Sequence, residues 1–212
     1  MRALFKILTA GLGLVLLAGM SFGQLPRFEI SLLGGIARVG AFGDAADYAA
    51  GVNDFPTTPK YGAASFGGLL GLSLGRHFGL EAGLRYQTGA DVVLTDPSDE
   101  DTVSFKTLAH FSAVLRAVFA LPLGPVRLYI LGGGGLDMLS GDAQSGVTAY
   151  GYAVEFEKPD QMIRPLVEAG GGLKLALGLH FGLRAEARYE FIFADPGSIK
   201  TLHAEGGIFV RI

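Results

Sequence analysis

The sequence predicts an all-β fold: an eight-stranded antiparallel up-and-down transmembrane β-barrel after a cleaved signal peptide, with residues 1–23 the signal and 24–212 the barrel. Three observations carry this prediction. The part after residue 23 is apolar and glycine-rich, yet holds no apolar run long enough for a spanning helix. Segments of alternating character recur along it, each with one apolar and one polar face. The links between them alternate short and long, as they do in membrane barrels.

The start of the chain sets the address. Met1-Arg2-Ala3-Leu4-Phe5-Lys6 is basic, residues 7–20 are apolar, and Ser21-Phe22-Gly23 supplies small residues before a cut ahead of Gln24. The apolar run is shorter than the roughly 20 residues of a spanning helix, which argues against an uncleaved anchor. No cysteine occurs anywhere, so neither a lipidated cysteine nor a disulfide framework is expected. Loss of Arg2 and Lys6 leaves 15 basic residues against 20 acidic ones, a net charge of −5. That balance is no footprint for nucleic acid. Half of the residues are hydrophobic, the mean hydropathy is +0.40, and 33 residues are glycine without a collagen period. Exported chains of this kind bury their backbone polar groups in lipid by closing a sheet.

Eight alternating segments follow, at about 27–40, 63–75, 78–90, 103–121, 125–138, 163–178, 181–193 and 200–212. Arg76-His77, Pro122-Leu123-Gly124 and Leu179-His180 form very short links, whereas 41–62, 91–102 and 139–162 are long and polar. A shorter link, 194–199, holds Asp195-Pro196-Gly197. An even strand count places both ends of the barrel at the short-turn rim and leaves no exposed edge.

One phrase occurs twice. Residues 74–86, LGRHFGLEAGLRY, return as 177–189, LGLHFGLRAEARY, 103 positions later with nine of thirteen residues identical. Each copy reads as a strand end, a tight turn and a second strand. In the second copy Leu183, Ala185, Ala187 and Tyr189 alternate with Arg184, Glu186, Arg188 and Glu190. An arginine at mid-bilayer costs about 2–4 kcal/mol, so Arg184 and Arg188 facing lipid together cost about 4–8 kcal/mol. The apolar face is therefore expected outside and the charged face inside.

The same parity places Glu29, Glu81, Arg85, Lys106, His110, Arg116, Arg127, Glu168, Lys174, Arg184, Glu186, Arg188, Glu205 and Arg211 in the lumen. Eight strands leave an interior only wide enough for side chains to fill, and buried charges are tolerated when paired. A network of acid–base pairs plugging the tube is expected, which argues against a large diffusion pore. Phe78 and Tyr86, and again Phe181 and Tyr189, lie eight residues apart. At about 3.3 Å per residue and a 40° tilt they span roughly 20 Å, so they and Phe191 are expected as interfacial girdle residues. The glycine runs 132–135 and 170–172 lack the Lys-Ser/Thr of a phosphate-binding loop and read as strand glycines that ease curvature.

The signal peptide, the eight segments and the ending Ala204-Glu205-Gly206-Gly207-Ile208-Phe209-Val210-Arg211-Ile212 resemble the outer-membrane β-barrel domain family, in its OmpA/OmpX-type small barrels. The resemblance covers essentially the whole mature chain. It implies residence in the bacterial outer membrane, contact with outer-membrane lipids and lipopolysaccharide, and handling by the barrel-assembly machinery during biogenesis. The terminal aromatic residue usual in the family is replaced by Ile212. No peptidoglycan-binding segment is evident, so wall anchoring is not expected.

Two constellations bear on chemistry. His110-Phe111-Ser112 sets an imidazole and a hydroxyl on one face, as a base and nucleophile need. It is similar to the His-x-Ser of outer-membrane lipid A deacylases but lacks their following Asn, and the next acid is Asp137. Asp91, Asp96, Asp99, Glu100 and Asp101 form an acidic link with no EF-hand spacing, so no metal or cofactor is expected. The link with Tyr150, Tyr152 and Phe156 could form a hairpin whose edge binds a partner by strand addition. The expectation is a monomeric, non-enzymatic barrel with a structural or surface-interaction role through its loops. The alternatives are a lipid A-modifying hydrolase using His110 and Ser112, a narrow channel, or a soluble lipocalin-type barrel.

Overall fold

A computed structural model describes residues 27–39, 62–89, 91–95, 102–106, 109–140, 144–148, 153–156, 163–193 and 198–212. The segment expected as a signal peptide, the first long link up to residue 61, the acidic residues at 96–101, Tyr150, Tyr152 and Asp195-Pro196-Gly197 lie outside them. In chain order the strands are β1 (Arg27–Val39), β2 (Ala63–Ser73), β3 (Phe78–Gln87), β4 (Asp91–Thr95), β5 (Thr102–Lys106), β6 (Ala109–Leu123), β7 (Val126–Ser140), β8 (Gln144–Thr148), β9 (Ala153–Phe156), β10 (Ile163–Ala176), β11 (Phe181–Phe193) and β12 (Ser198–Arg211).

Eight of these strands close a barrel in the order β1-β12-β11-β10-β7-β6-β3-β2. Each pairs antiparallel with its neighbour along the chain, and the seam between first and last runs from Glu29 opposite Arg211 to Val39 opposite Thr201. The meander closes on itself because the segments are long, alternating and joined at one end by turns too short for a crossover. Leu74 N–H donates to the Phe78 carbonyl at 2.8 Å, and Leu177 N–H donates to the Phe181 carbonyl at 3.1 Å, so equivalent hydrogen bonds close the turns of both copies. The β6–β7 turn is Gly124-Pro125; strand β6 continues through Pro122 and Leu123, residues expected in the link. Gly124 sits at φ +65°, a region that favours glycine.

Lys106 is a correction. The segment expected over 103–121 divides into β5 and β6, and Lys106 ends β5, in a separate four-stranded sheet of order β4-β5-β8-β9. Its register partner is Asp91, so it belongs to that sheet and not to the barrel lumen. A strand of 19 residues would be about 60 Å long and far outrun a bilayer. The barrel ladder between β3 and β6 stops at Gln87 opposite His110. The links expected over 91–102 and 139–162 thus carry strands of their own, and β8 and β9 form the expected hairpin, with Gln144 opposite Phe156.

The wall obeys the expected parity. Outward positions expose Leu70 at 64% and Ile130 at 65%, while the inward Arg116 and Arg188 are each 1% exposed. Among the described barrel strands the only charged outward residues are Arg38 and Lys200, both toward the long-link ends of β1 and β12. Aromatic rings form rows across neighbouring strands. Tyr86 is opposite Phe66 and Phe111, and Phe78 is opposite Phe119. Phe181 is exposed, Tyr189 and Phe191 are half-exposed, and Phe191 packs edge-on against Phe193 at 4.9 Å.

Glycine lets these strands approach one another. A Cβ built on Gly135 would lie 1.9 Å from the Ala113 carbonyl oxygen, and one on Gly207 would lie 1.8 Å from that of Leu32. The glycine runs therefore serve a tightly closed sheet and face no ligand loop.

Candidate functional site: the charged lumen

The interior is built from alternate residues of all eight barrel strands, so each charged side chain is aimed inward by the same period that aims its neighbours at the exterior. Near the short-turn rim, Lys174 on β10 bonds Glu29 on β1 and reaches Glu81 Oε1 on β3 at 3.1 Å. Glu81 also takes both guanidinium nitrogens of Arg184, at 2.8 and 2.9 Å, and Arg116 Nε at 2.8 Å. Glu81 and Arg184 occupy equivalent positions of the two repeated phrases. Where the copies differ in charge sign, they meet as a bidentate pair across the lumen.

Glu186 is the next anchor. It accepts from Arg116 Nη1 and Nη2 at 2.7 and 2.9 Å, from Arg184 Nη2 at 2.7 Å and from Tyr129 Oη at 2.9 Å. Arg184 in turn lies over the Tyr129 ring at 4.9 Å. Further along, Arg188 binds Glu205, which also accepts from Ser65 Oγ at 2.5 Å. Arg85 grips Glu168 with both terminal nitrogens and stands 3.5 Å from Glu190. Planar guanidinium groups meeting carboxylates edge-on are the strong form of this contact, and each carboxylate shared by two cations holds several strands in place at once.

The lumen is not filled by charge alone. Val114, Leu166, Ile192 and Ile199 form one buried apolar cluster, and Val118, Ala120, Tyr129 and Leu131 another. Charged ties and apolar packing together fill the tube.

The structure puts Glu29, Glu81, Arg85, His110, Arg116, Glu168, Lys174, Arg184, Glu186, Arg188 and Glu205 in the buried interior. Arg127 and Arg211 are half-buried at the short-turn mouth, with Arg211 Nε 3.4 Å from Glu29 Oε2. Asp137, Arg164 and His203, absent from the expected interior set, are buried too, as is Glu190 on the charged face of the second phrase. The signal was available, since each shares the inward parity of its strand. Both ring nitrogens of His203 are buried without a hydrogen bond, and Glu190 is 3.7 Å away.

Asp137 changes the reading of His110 and Ser112. It is fully buried on β7 opposite Ser112, and it takes both side chains: His110 Nδ1 at 2.9 Å and Ser112 Oγ at 2.8 Å. In a hydrolytic triad the serine bonds the histidine and the acid binds the histidine's far side. Here the acid stands between them, and all three face the closed lumen. That geometry ties β6 to β7.

No protein-family model matches the chain, and no curated protein matches it. Solved structures do. Neisserial surface protein A aligns over 86% of this chain and 96% of its own, at 14% identity and a TM-score of 0.53. The N-terminal barrel domain of Pseudomonas aeruginosa OprF covers 88% and 97%, at 15% identity and a TM-score of 0.49. The attachment invasion locus protein Ail of Yersinia pestis covers 89% and 100%, at 16% identity and 0.45. A closed eight-stranded antiparallel meander is the fold of the small outer-membrane β-barrels, and this chain has it.

Proposed function

We propose that this chain is an integral outer-membrane barrel with a structural or surface-interaction role, working as a monomer through the segments beyond its long-link rim. One observation supports this best: the described outer wall is apolar and carries no acid, while the glutamates of the barrel strands are buried inside, where Arg85, Arg116, Arg184 and Arg188 pair with them. Such a surface is stable only against hydrocarbon. A soluble lipocalin-type barrel has the opposite arrangement. Outer-membrane lipids and lipopolysaccharide are then its surroundings, and the barrel-assembly machinery its route there.

The lumen is read as a plug and His110 and Ser112 as part of it, so the proposal includes no hydrolytic activity. The sheet of β4, β5, β8 and β9 supplies the interaction surface, with β4 and β9 at its edges. The test is fractionation with gel mobility before and after boiling. Recovery in the outer membrane with a heat-dependent shift is expected of a closed barrel; recovery as a soluble periplasmic protein without a shift would overturn the reading. Lipid A from cells carrying Ser112→Ala should match that from wild-type cells. A lost acyl-chain modification in the variant would restore the enzymatic alternative.

A further inference from the structure

The deep cations Arg85, Arg116, Lys174, Arg184 and Arg188 each have a carboxylate partner. At the short-turn mouth that pattern stops. Arg27, Arg127 and Arg211 take the last inward position at that end of β1, β7 and β12, and Arg76 lies in the β2–β3 turn. The four line one cavity of about 270 Å³ whose single acidic residue is Glu29. Glu29 is already engaged by Lys174 and by Arg211. Among the described residues Arg27, Arg76 and Arg127 make no ion pair or side-chain hydrogen bond. Four guanidinium groups around one space repel one another, least screened where they are partly buried.

We propose that this mouth is a binding site for a phosphate-bearing anion, held by Arg27, Arg76, Arg127 and Arg211. The chemistry selects phosphate over a carboxylate. A carboxylate offers two oxygens in one plane, enough for one guanidinium fork. A phosphate presents tetrahedral oxygens and more charge, so arginines arriving from three strands and a turn can each take an edge. Room is ample, since a water occupies roughly 30 Å³ of liquid. The outward-facing Phe28 also lines the cavity, so it opens toward the level where lipid headgroups would lie. A phospholipid headgroup and a free phosphate share this chemistry.

The test uses two probes on the full folded barrel. Inorganic pyrophosphate is titrated calorimetrically into protein in uncharged detergent. Separately, the barrel is placed in phosphatidylcholine vesicles and the immobilised fraction of spin-labelled phosphatidylglycerol is compared with that of labelled phosphatidylcholine. Wild type should show saturable, salt-sensitive pyrophosphate binding, selective retention of phosphatidylglycerol, or both. Arg76→Gln with Arg127→Gln should weaken the response about tenfold, as expected for lost charge-assisted bonds. Arg38→Gln, on the outer wall at the opposite end, should leave it unchanged. Arg76→Gln alone, in an exposed turn, covers the case in which the double variant fails to give a heat-shifted band; it should weaken the response severalfold. Pyrophosphate binding identifies a free phosphate source, and lipid selectivity alone identifies a headgroup. No response in either arm, or a double variant equal to wild type, overturns the site. The lipid arm rests on the membrane reading and the pyrophosphate arm does not, so the two failures are distinguishable.

Discussion

Glu81 shows how one carboxylate governs a closed interior. It faces Arg116, Lys174 and Arg184 from three different strands, and all four side chains are buried. Removing its charge leaves three cations sharing what remains of the acid nearby. Breaking a buried pair by deleting one partner costs about 3–5 kcal/mol, because the other charge stays desolvated. Glu81→Gln is expected to lose that much in denaturant unfolding of the detergent-folded protein. A loss below about 1 kcal/mol would show that water or a neighbour replaces the carboxylate at little cost, and that the ties are individually weak. Parity made Glu81 and Arg184 legible as inward residues. Their meeting was not legible, because it depends on the stagger of strands that lie 103 residues apart.

At the scale of the strand, one period does two jobs. In β11 the odd positions from Phe181 to Phe193 face outward and the even ones inward, so a slip of one residue would bring Arg184, Glu186, Arg188 and Glu190 to the outer face. Ala185 lies outward near the middle of that strand, opposite Gly206. Ala185→Arg is expected to destabilise the folded barrel by about 2–4 kcal/mol in lipid, while Ala185→Leu stays near neutral. Equal stability of the two variants in vesicles would mean that this face does not meet hydrocarbon. The bounds of β1, β10 and β11 were readable to within two residues from alternation alone. Lys106 was misplaced because alternation continues through 102–106 and into β6, and a period cannot report that the chain has left one sheet for another.

For the whole molecule, closure and filling follow from strand number. Eight strands enclose a tube that the arginine–glutamate ties and the two apolar clusters occupy. In planar bilayers the wild-type barrel is expected to give no sustained current of the kind a water-filled pore passes. A stable, large conductance from every inserted molecule would show that the plug moves aside, and would favour the channel alternative. The imbalance of charge appears only at this scale. The deep cations are neutralised by carboxylates on other strands, and the unpaired arginines are gathered at one mouth, around the cavity of Arg27, Arg76, Arg127 and Arg211.

The sequence by itself determined the strand count in the barrel, the inward and outward faces of its strands, and the inward side of the charges expected in the lumen, Lys106 excepted. Those are local properties, set by a two-residue period and by the cost of placing a charge in lipid. Only the tertiary structure decided which acid meets which base, that Asp137 separates Ser112 from His110, and that β4, β5, β8 and β9 form a sheet of their own. Those depend on shear and on distant strands coming into register, and no local period carries that information.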